Sequence, residues 1–325
     1  MIDNYGRNID YIRISVTDRC NLRCIYCMPE EGAECLSHGD ILSFEEIVRV
    51  CNILAKQGIS KVKITGGEPL VRKDIDLLIK KIKDIDGITS VTITTNGVLL
   101  KEKYTKLVAA GVDAITVSLD STNPEEFIKI TRRDYLSQVL DGINTVQKDG
   151  RIPLKINSVI LKKEESDIID LIKLAEHYET DIRFIEMMPI GLGKDFEYID
   201  TDTILNIIEK EYGKGTVFNG TRGNGPATYY EFEGLKGKIG FISSISHKFC
   251  SNCNRIRMTS DGHIKACLQY SANVNLKEML RNNVSDEIIS HKLEEIIKNK
   301  PVGHHFDQKS GNKFDEQRTM VQIGG

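Results

Sequence analysis

Tyr11-Ile12-Arg13-Ile14-Ser15 alternates apolar and polar side chains and predicts a strand with two distinct faces. Ser43-Phe44-Glu45-Glu46 reads as a capping box. It opens a helix with Ile47, Val50, Cys51 and Leu54 on one side, closed by Gly58. Lys61–Thr65 and residues 91–95, 114–119, 154–161 and 182–187 are the next five predicted strands. Helical spacing separates them, first at Ile75, Leu78, Ile79 and Ile82, then over residues 104–110, 138–147 and 168–178. Six strands alternating with helices predict a parallel sheet with right-handed crossovers. Polar or glycine-rich signatures follow several strands: a cysteine loop, Gly66-Gly67-Glu68-Pro69, Asn96-Gly97, Ser118 with Asp120, and Met188-Pro189. In barrel-like α/β folds the C-terminal strand ends build the active site, so these loops should line one mouth. Six units suggest an incomplete barrel, open on one side.

Past Gly191-Leu192-Gly193 the pattern changes. A short helix over 204–212 precedes a Gly-, Thr- and Asn-rich loop over 213–225. Short strands are expected at 228–232, 238–241 and 255–259, and 275–298 is mostly helical. The tail from Gly303 is polar and contains glycine. A boundary is placed near residue 215, between a larger domain over 1–215 and a smaller one over 216–325.

Composition adds limits. Hydrophobic residues are 40% and charged residues 28% of the chain, ordinary values for a soluble globular protein. A formal net charge of −3 argues against nucleic acid or an anionic membrane as partner, while allowing a local basic site. Met1-Ile2-Asp3-Asn4-Tyr5 lacks the basic and apolar parts of a signal peptide, and no apolar run approaches a membrane span. A cytoplasmic location is expected, where clustered cysteines mean metal or catalysis more often than disulfides.

Six of the eight cysteines fall into two triplets. Cys20, Cys24 and Cys27, spaced C-x3-C-x2-C, follow the first strand. Three thiolates suit an iron–sulfur cluster and leave one iron of a four-iron cluster without a protein ligand. Such an open position is a place for chemistry, as at catalytic zinc. Cys250, Cys253 and Cys267 form the second triplet, where His263 or His247 would equally complete a Cys3His zinc site. Cys51 falls in an apolar helical pattern, and Cys35 has no partner at ligand spacing; no role attaches to Cys35, His304 or His305. Arg255 and Arg257 share one strand face and can hold a phosphate chain through bidentate bonds. Lys155, if it points into a barrel, needs an anionic partner. Gly66 and Gly67 would let backbone approach a ligand closely, and the Glu68 carboxylate would receive an ammonium group.

The first triplet, with Tyr26 before its last cysteine, resembles the signature of the radical S-adenosylmethionine (SAM) superfamily. Thr17-Asp18-Arg19-Cys20-Asn21, Cys27-Met28-Pro29-Glu30-Glu31-Gly32, Thr65-Gly66-Gly67-Glu68-Pro69-Leu70 and Arg183-Phe184-Ile185-Glu186 more narrowly resemble the GTP 3',8-cyclase family of molybdenum cofactor biosynthesis. So do Phe249-Cys250-Ser251-Asn252-Cys253-Asn254-Arg255-Ile256-Arg257, Asp261-Gly262, Cys267-Leu268 and the terminal Gly324-Gly325. The resemblance implies an α/β fold, an incomplete (β/α)6 TIM-like barrel closed on its open side by the C-terminal domain. It implies two 4Fe–4S clusters, one on Cys20, Cys24 and Cys27, the other on Cys250, Cys253 and Cys267. SAM would meet Tyr26, Gly67, Ser118 and Met188. GTP would meet Arg13, Lys63, Thr94, Lys155, Asn254, Arg255, Ile256 and Arg257, with Arg255 and Arg257 as the catalytic cations. Position 63 is usually arginine in the family; lysine keeps the charge and loses the planar fork. The implied reaction is removal of the 3' hydrogen of GTP by a 5'-deoxyadenosyl radical and closure of C3' onto C8. Implied partners are an electron donor of flavodoxin or ferredoxin type, cyclic pyranopterin monophosphate synthase downstream, and a second copy in a homodimer. In the family the Gly-Gly tail enters the active site; the ordinary alternative is a frayed chain end. Two other readings stand beside this one: a peptide-modifying radical SAM enzyme with an auxiliary cluster, and a zinc-stabilised binding protein. The Asn-Arg-x-Arg stretch and the Gly-Gly end favour the cyclase.

Overall fold

Strands β1 (Tyr11–Ser15), β2 (Lys61–Thr65), β3 (Ser90–Thr95), β4 (Ala114–Ser118), β5 (Leu154–Ile160) and β6 (Asp181–Glu186) lie side by side in chain order, all parallel. This computed structural model describes every residue except 162, 163, 198, 273 and 307–314, so part of the polar tail read from Gly303 falls outside the described residues. Six more strands follow: β7 (Thr216–Val217), β8 (Thr228–Glu231), β9 (Ile239–Ile242), β10 (Arg255–Met258), β11 (His263–Lys265) and β12 (Val274–Asn275). They extend the same sheet at both edges, in the order β12-β11-β10-β1-β2-β3-β4-β5-β6-β9-β8-β7. β10 joins β1 and β9 joins β6, both parallel, so the C-terminal part of the chain continues the barrel wall on its two open sides.

The helices are α1 (Phe44–Lys56), α2 (Ile75–Lys83), α3 (Leu100–Ala109), α4 (Pro124–Thr131), α5 (Leu136–Asp149), α6 (Glu165–Ile172), α7 (Thr201–Tyr212), α8 (Leu276–Arg281), α9 (Asp286–Lys298) and α10 (Met320–Ile323). The α1 capping box forms as expected: Glu46 N donates to Ser43 Oγ at 3.1 Å and Ser43 N to Glu46 Oε2 at 2.7 Å. Such a cap contributes about 1 kcal/mol. The predicted helix over 275–298 is two helices, broken around Asn283, whose φ is 53°. Helix α4 was not foreseen, although Asn123-Pro124-Glu125-Glu126 carries its start signals: Asn123 Oδ1 accepts from Glu125 N and Glu126 N at 3.0 and 3.2 Å.

Strand alternation sorts the barrel into two chemistries. Ile12, Ile14, Val62, Ile64, Val91, Ile93, Ile115 and Val117 are fully buried, in one core with Leu54, Leu78, Leu107 and Val139 of the surrounding helices. Residues of the other parity are polar: Arg13, Lys63, Thr92, Thr116, Lys155, Asn157, Arg183, Arg255 and Arg257. The register sets Arg13 beside both Lys63 and Arg257, and Thr116 beside Lys155. Among the described residues no helix is long and apolar enough to cross a membrane.

Candidate active site

The cysteine loop is built against the glycine loop after β2. Gly67 N donates to Thr17 O at 2.6 Å and Glu68 N to Arg19 O at 2.8 Å. A Cβ on Gly67 would stand 2.4 Å from Arg19 O, and one on Gly66 2.7 Å from Thr17 O. These glycines therefore make room for the chain running into Cys20; the close approach read from the sequence is to protein backbone. Gly67→Ala is expected to push the cysteine loop aside and cost a few kcal/mol, about 1–3 by overpacking; thermal melting of the metal-loaded protein measures it.

Glu68 also turns inward. Its carboxylate accepts from Thr95 Oγ1 at 2.7 Å, Asn96 N at 2.6 Å and Leu70 N at 2.9 Å, and burial pushes its pKa up to about 7. Asn96 Nδ2 in turn donates to Asn21 Oδ1 at 2.7 Å and reaches Cys20 Sγ at 3.7 Å. On the far side Tyr26 donates its hydroxyl to Asp120 Oδ2 at 2.6 Å, while Val159 N donates to Asp120 Oδ1 at 2.8 Å. The end of α4 backs the loop: Arg23 N donates to Thr131 O and Ile25 N to Ile130 O, both at 2.9 Å. The loop is thus tied to β2, β3, β4 and α4. Burial pushes the Cys20 thiol up to about 11 and the Cys27 thiol up to about 12. Burial and then the neighbouring Cys27 raise Cys24 as well. A metal centre relieves this crowding, because coordination deprotonates a thiol outright.

Inside the barrel lies a cavity of about 820 Å³ into which Arg13, Lys63, Lys155, Arg183, Arg255 and Arg257 converge. Thr116 Oγ1 accepts from Lys63 Nζ at 3.3 Å and from Arg183 Nη2 at 3.2 Å. Asp181 is committed to two cations, Lys155 at 3.4 Å and Arg222 at 3.0 Å. Burial, followed by like charge from Arg183 and Arg13, drives the Lys63 pKa well below its ordinary value. Burial, Arg13 and Arg255 do the same to Arg257, and burial pushes Lys155 down to about 8. The buried Nε atoms of Arg13, Arg183 and Arg255 have no hydrogen-bond partner. Buried cations without counter-charge are costly, and a multiply charged anion relieves that cost. Arg255 lies 5.9 Å from the Tyr11 ring centre and 5.5 Å from that of Phe249.

The second triplet borders the same cavity. Cys250, Cys253 and Cys267 all line it. Cys250–Asn252 is a single 3-10 turn, and Cys267 follows β11. Lys300 and Arg255 hold the Cys253 thiol below its ordinary value against the effect of burial. Among the described residues no three His, Cys, Asp or Glu side chains converge on a point that one ion would occupy. The thiols within each triplet nevertheless feel one another's charge. In a cluster each iron takes its own thiolate, so three thiols need not meet at one ion.

The chain end folds into the mouth. Gly324, at φ +85°, accepts a hydrogen bond at its carbonyl from Arg257 Nη1 at 2.8 Å. A Cβ there would lie 2.7 Å from Ser15 Cβ, so glycine is required by space as well as by φ. Val321 and Ile323 of α10 are 1% exposed, so this end is packed.

Of the residues expected at the site, Met188 lines the cavity along with the cations, whereas Tyr26, Gly67, Thr94 and Ser118 are not part of its lining. Asn254 sits lower, its Nδ2 donating to Asp10 Oδ1 at 2.8 Å. Ile256 is wholly buried in the core, on the opposite face of β10 from the two arginines. Arg183, which the sequence reading gives only as part of the Arg183–Glu186 motif, also lines the cavity. The signal was available: a lone cation in the apolar strand β6, facing Gly240, where a Cβ would touch its stem at 3.0 Å. Glu186 of the same motif serves the fold, accepting from Ile245 N at 2.7 Å and Ser246 N at 3.0 Å.

Residues 14–175 match the model of the Radical SAM superfamily, and residues 180–306 that of Molybdenum Cofactor Synthesis C. A GTP 3',8-cyclase of Clostridium perfringens (strain SM101 / Type A) is 44% identical across the whole of both chains. One from Petrotoga mobilis is 41% identical, again across the whole of both. Streptococcus suis SuiB bound to S-adenosylmethionine superposes with a TM-score of 0.62 at 16% identity, covering 93% of this chain and 75% of that one, a likeness of fold. One cysteine triplet in the loop after β1, a second bordering a cationic barrel cavity, and full-length identity of this degree lead to one assignment: the chain belongs to the GTP 3',8-cyclase family of the radical SAM superfamily.

Proposed function

We propose that this chain is a GTP 3',8-cyclase of molybdenum cofactor biosynthesis, with Cys20, Cys24 and Cys27 holding one 4Fe–4S cluster and Cys250, Cys253 and Cys267 a second. Bound there, the clusters and SAM supply a 5'-deoxyadenosyl radical that takes the 3' hydrogen of GTP, leading to (8S)-3',8-cyclo-7,8-dihydroguanosine 5'-triphosphate. Tyr26, Gly67, Ser118 and Met188 bound the SAM side, and Thr94 contacts GTP. Arg13, Lys63, Lys155, Arg255 and Arg257 neutralise the triphosphate, joined by Arg183, while Asn254 and Ile256 contribute through their backbone. Residues 1–215 form the SAM-binding part and 216–325 the part that brings the guanine to the second cluster. A flavodoxin- or ferredoxin-type protein delivers electrons, cyclic pyranopterin monophosphate synthase takes the product, and the chain works as a cytoplasmic homodimer.

The observation that carries this reading is the excess of buried cations in a cavity bordered by the second triplet. A peptide substrate would leave most of that charge uncompensated; a triphosphate answers it through charge-assisted bonds. The test is anaerobic incubation of reduced protein with SAM and GTP. Cyclised GTP and GTP-dependent 5'-deoxyadenosine are expected; formation of neither overturns the reading.

Lys155 gives a pH signature. Its ammonium, held down to about 8 in the free protein, is stabilised by bound phosphate, so GTP binding draws a proton onto it as pH rises past 8. GTP affinity should fall about tenfold between pH 7 and pH 9, and Lys155→Met should flatten that slope; anaerobic titration calorimetry reads both. The sign for stability is opposite. With the folded pKa below the unfolded one, the unfolded chain holds more protons between pH 8 and the ordinary lysine value, so this group makes the free protein more stable as pH rises through that window.

A further inference from the structure

The C-terminal segment is rooted on the arm that carries Cys267. Lys265, wholly buried on β11 two positions before that cysteine, pairs with Glu316, which is 3% exposed. Lys265 Nζ also donates to Tyr270 O at 2.5 Å, and Glu316 N donates to Gln269 O at 2.6 Å, so the tail is stitched to the arm on both sides of Cys267. Arg318 closes the group: its Nε lies 3.1 Å from Glu316 Oε1 and its Nη1 3.7 Å from Asp261 Oδ2. Only from this root does α10 run on, to place Gly324 against Ser15, Thr65 and Arg257 at the mouth.

Resting on the function proposed above, we infer that the Lys265–Glu316 pair is a latch that seats the tail: both are positioning residues, which act by holding residues 319–325 over the barrel mouth. They lie away from the cavity wall, so the action passes through the tail. The chemical logic is that a buried ion pair holds one register and tolerates no slippage, because a displaced partner leaves a bare charge in the interior.

Glu316→Gln keeps the shape and removes the charge. In the full-length, iron-loaded variant, amide hydrogen exchange at residues 321–324 is expected to quicken at least tenfold, with β1–β3 unchanged. At saturating GTP the ratio of 5'-deoxyadenosine to cyclised product should rise at least fivefold, with KM for GTP within twofold. Tail exchange unchanged in Glu316→Gln overturns the latch, as does quickening spread evenly over the sheet, or an unchanged product ratio. Should Glu316→Gln fail to fold, Arg318→Ala, which removes a partly exposed donor to the same carboxylate, should quicken tail exchange at least threefold; no change there overturns the latch. Tail exchange is read without substrate. Failure of the latch in a chain whose wild type cyclises GTP is therefore distinct from failure of the function itself.

Discussion

Arg257→Ala should lose kcat/KM for GTP cyclisation by roughly 150- to 5,000-fold, the equivalent of about 3–5 kcal/mol for taking one partner from a buried charge pair. The guanidinium is buried among Arg13 and Arg255 and holds Gly324 O at 2.8 Å, so its loss removes an anion contact and loosens the tail together. The free protein should show the opposite sign. Burial and two like charges oppose Arg257, so the variant should melt at the same temperature or higher without GTP. SAM cleavage to 5'-deoxyadenosine under forcing reduction should persist, since the first triplet is untouched. A variant that cyclises GTP normally removes Arg257 from the substrate site.

The second large effect is at the cysteines. Cys24→Ala should lower iron to about half, from roughly eight to four atoms per chain, and reduce 5'-deoxyadenosine to background. Cys24 is half-buried in the loop that β2, β3, β4 and α4 hold; burial and then Cys27 raise its thiol. The second triplet lines the cavity wall, apart from the loop of the first, and should retain its iron. GTP binding should change by no more than about twofold, because the cations stay in place. Anaerobic iron analysis, product chromatography and calorimetry on one preparation separate the three. Two zinc ions and no iron in the wild type would instead favour a structural metal protein.

Legibility in the sequence followed the range of the physics. Strand alternation is local, and β1 and β2 fall on the expected residues. The capping box of α1 is local too. Helix α4 escaped because its apolar run is short and starts at Asn123-Pro124, which also signals a turn. What glycines approach is not local. Gly66 and Gly67 lie against the backbone of Thr17 and Arg19, a contact that no local window contains. The direction of Glu68 depended on Thr95 and Asn96, one strand away. Arg183 became a site residue only when β6 was set beside β5 and β9. The folded tail followed from Ser15, Thr65 and Arg257, which no window at the chain end contains.

The pairing of β10 with β1 sets the order of assembly as well as the shape. β1 is made first and waits, with one edge bare, until nearly the whole chain has left the ribosome. Closing so long a loop carries a slow, entropic step, and an unpaired edge invites pairing with another chain. That last closure also brings Arg257 against Arg13, two cations that repel. A polyanion present while the chain folds would screen them, so refolding yield should rise when GTP is added.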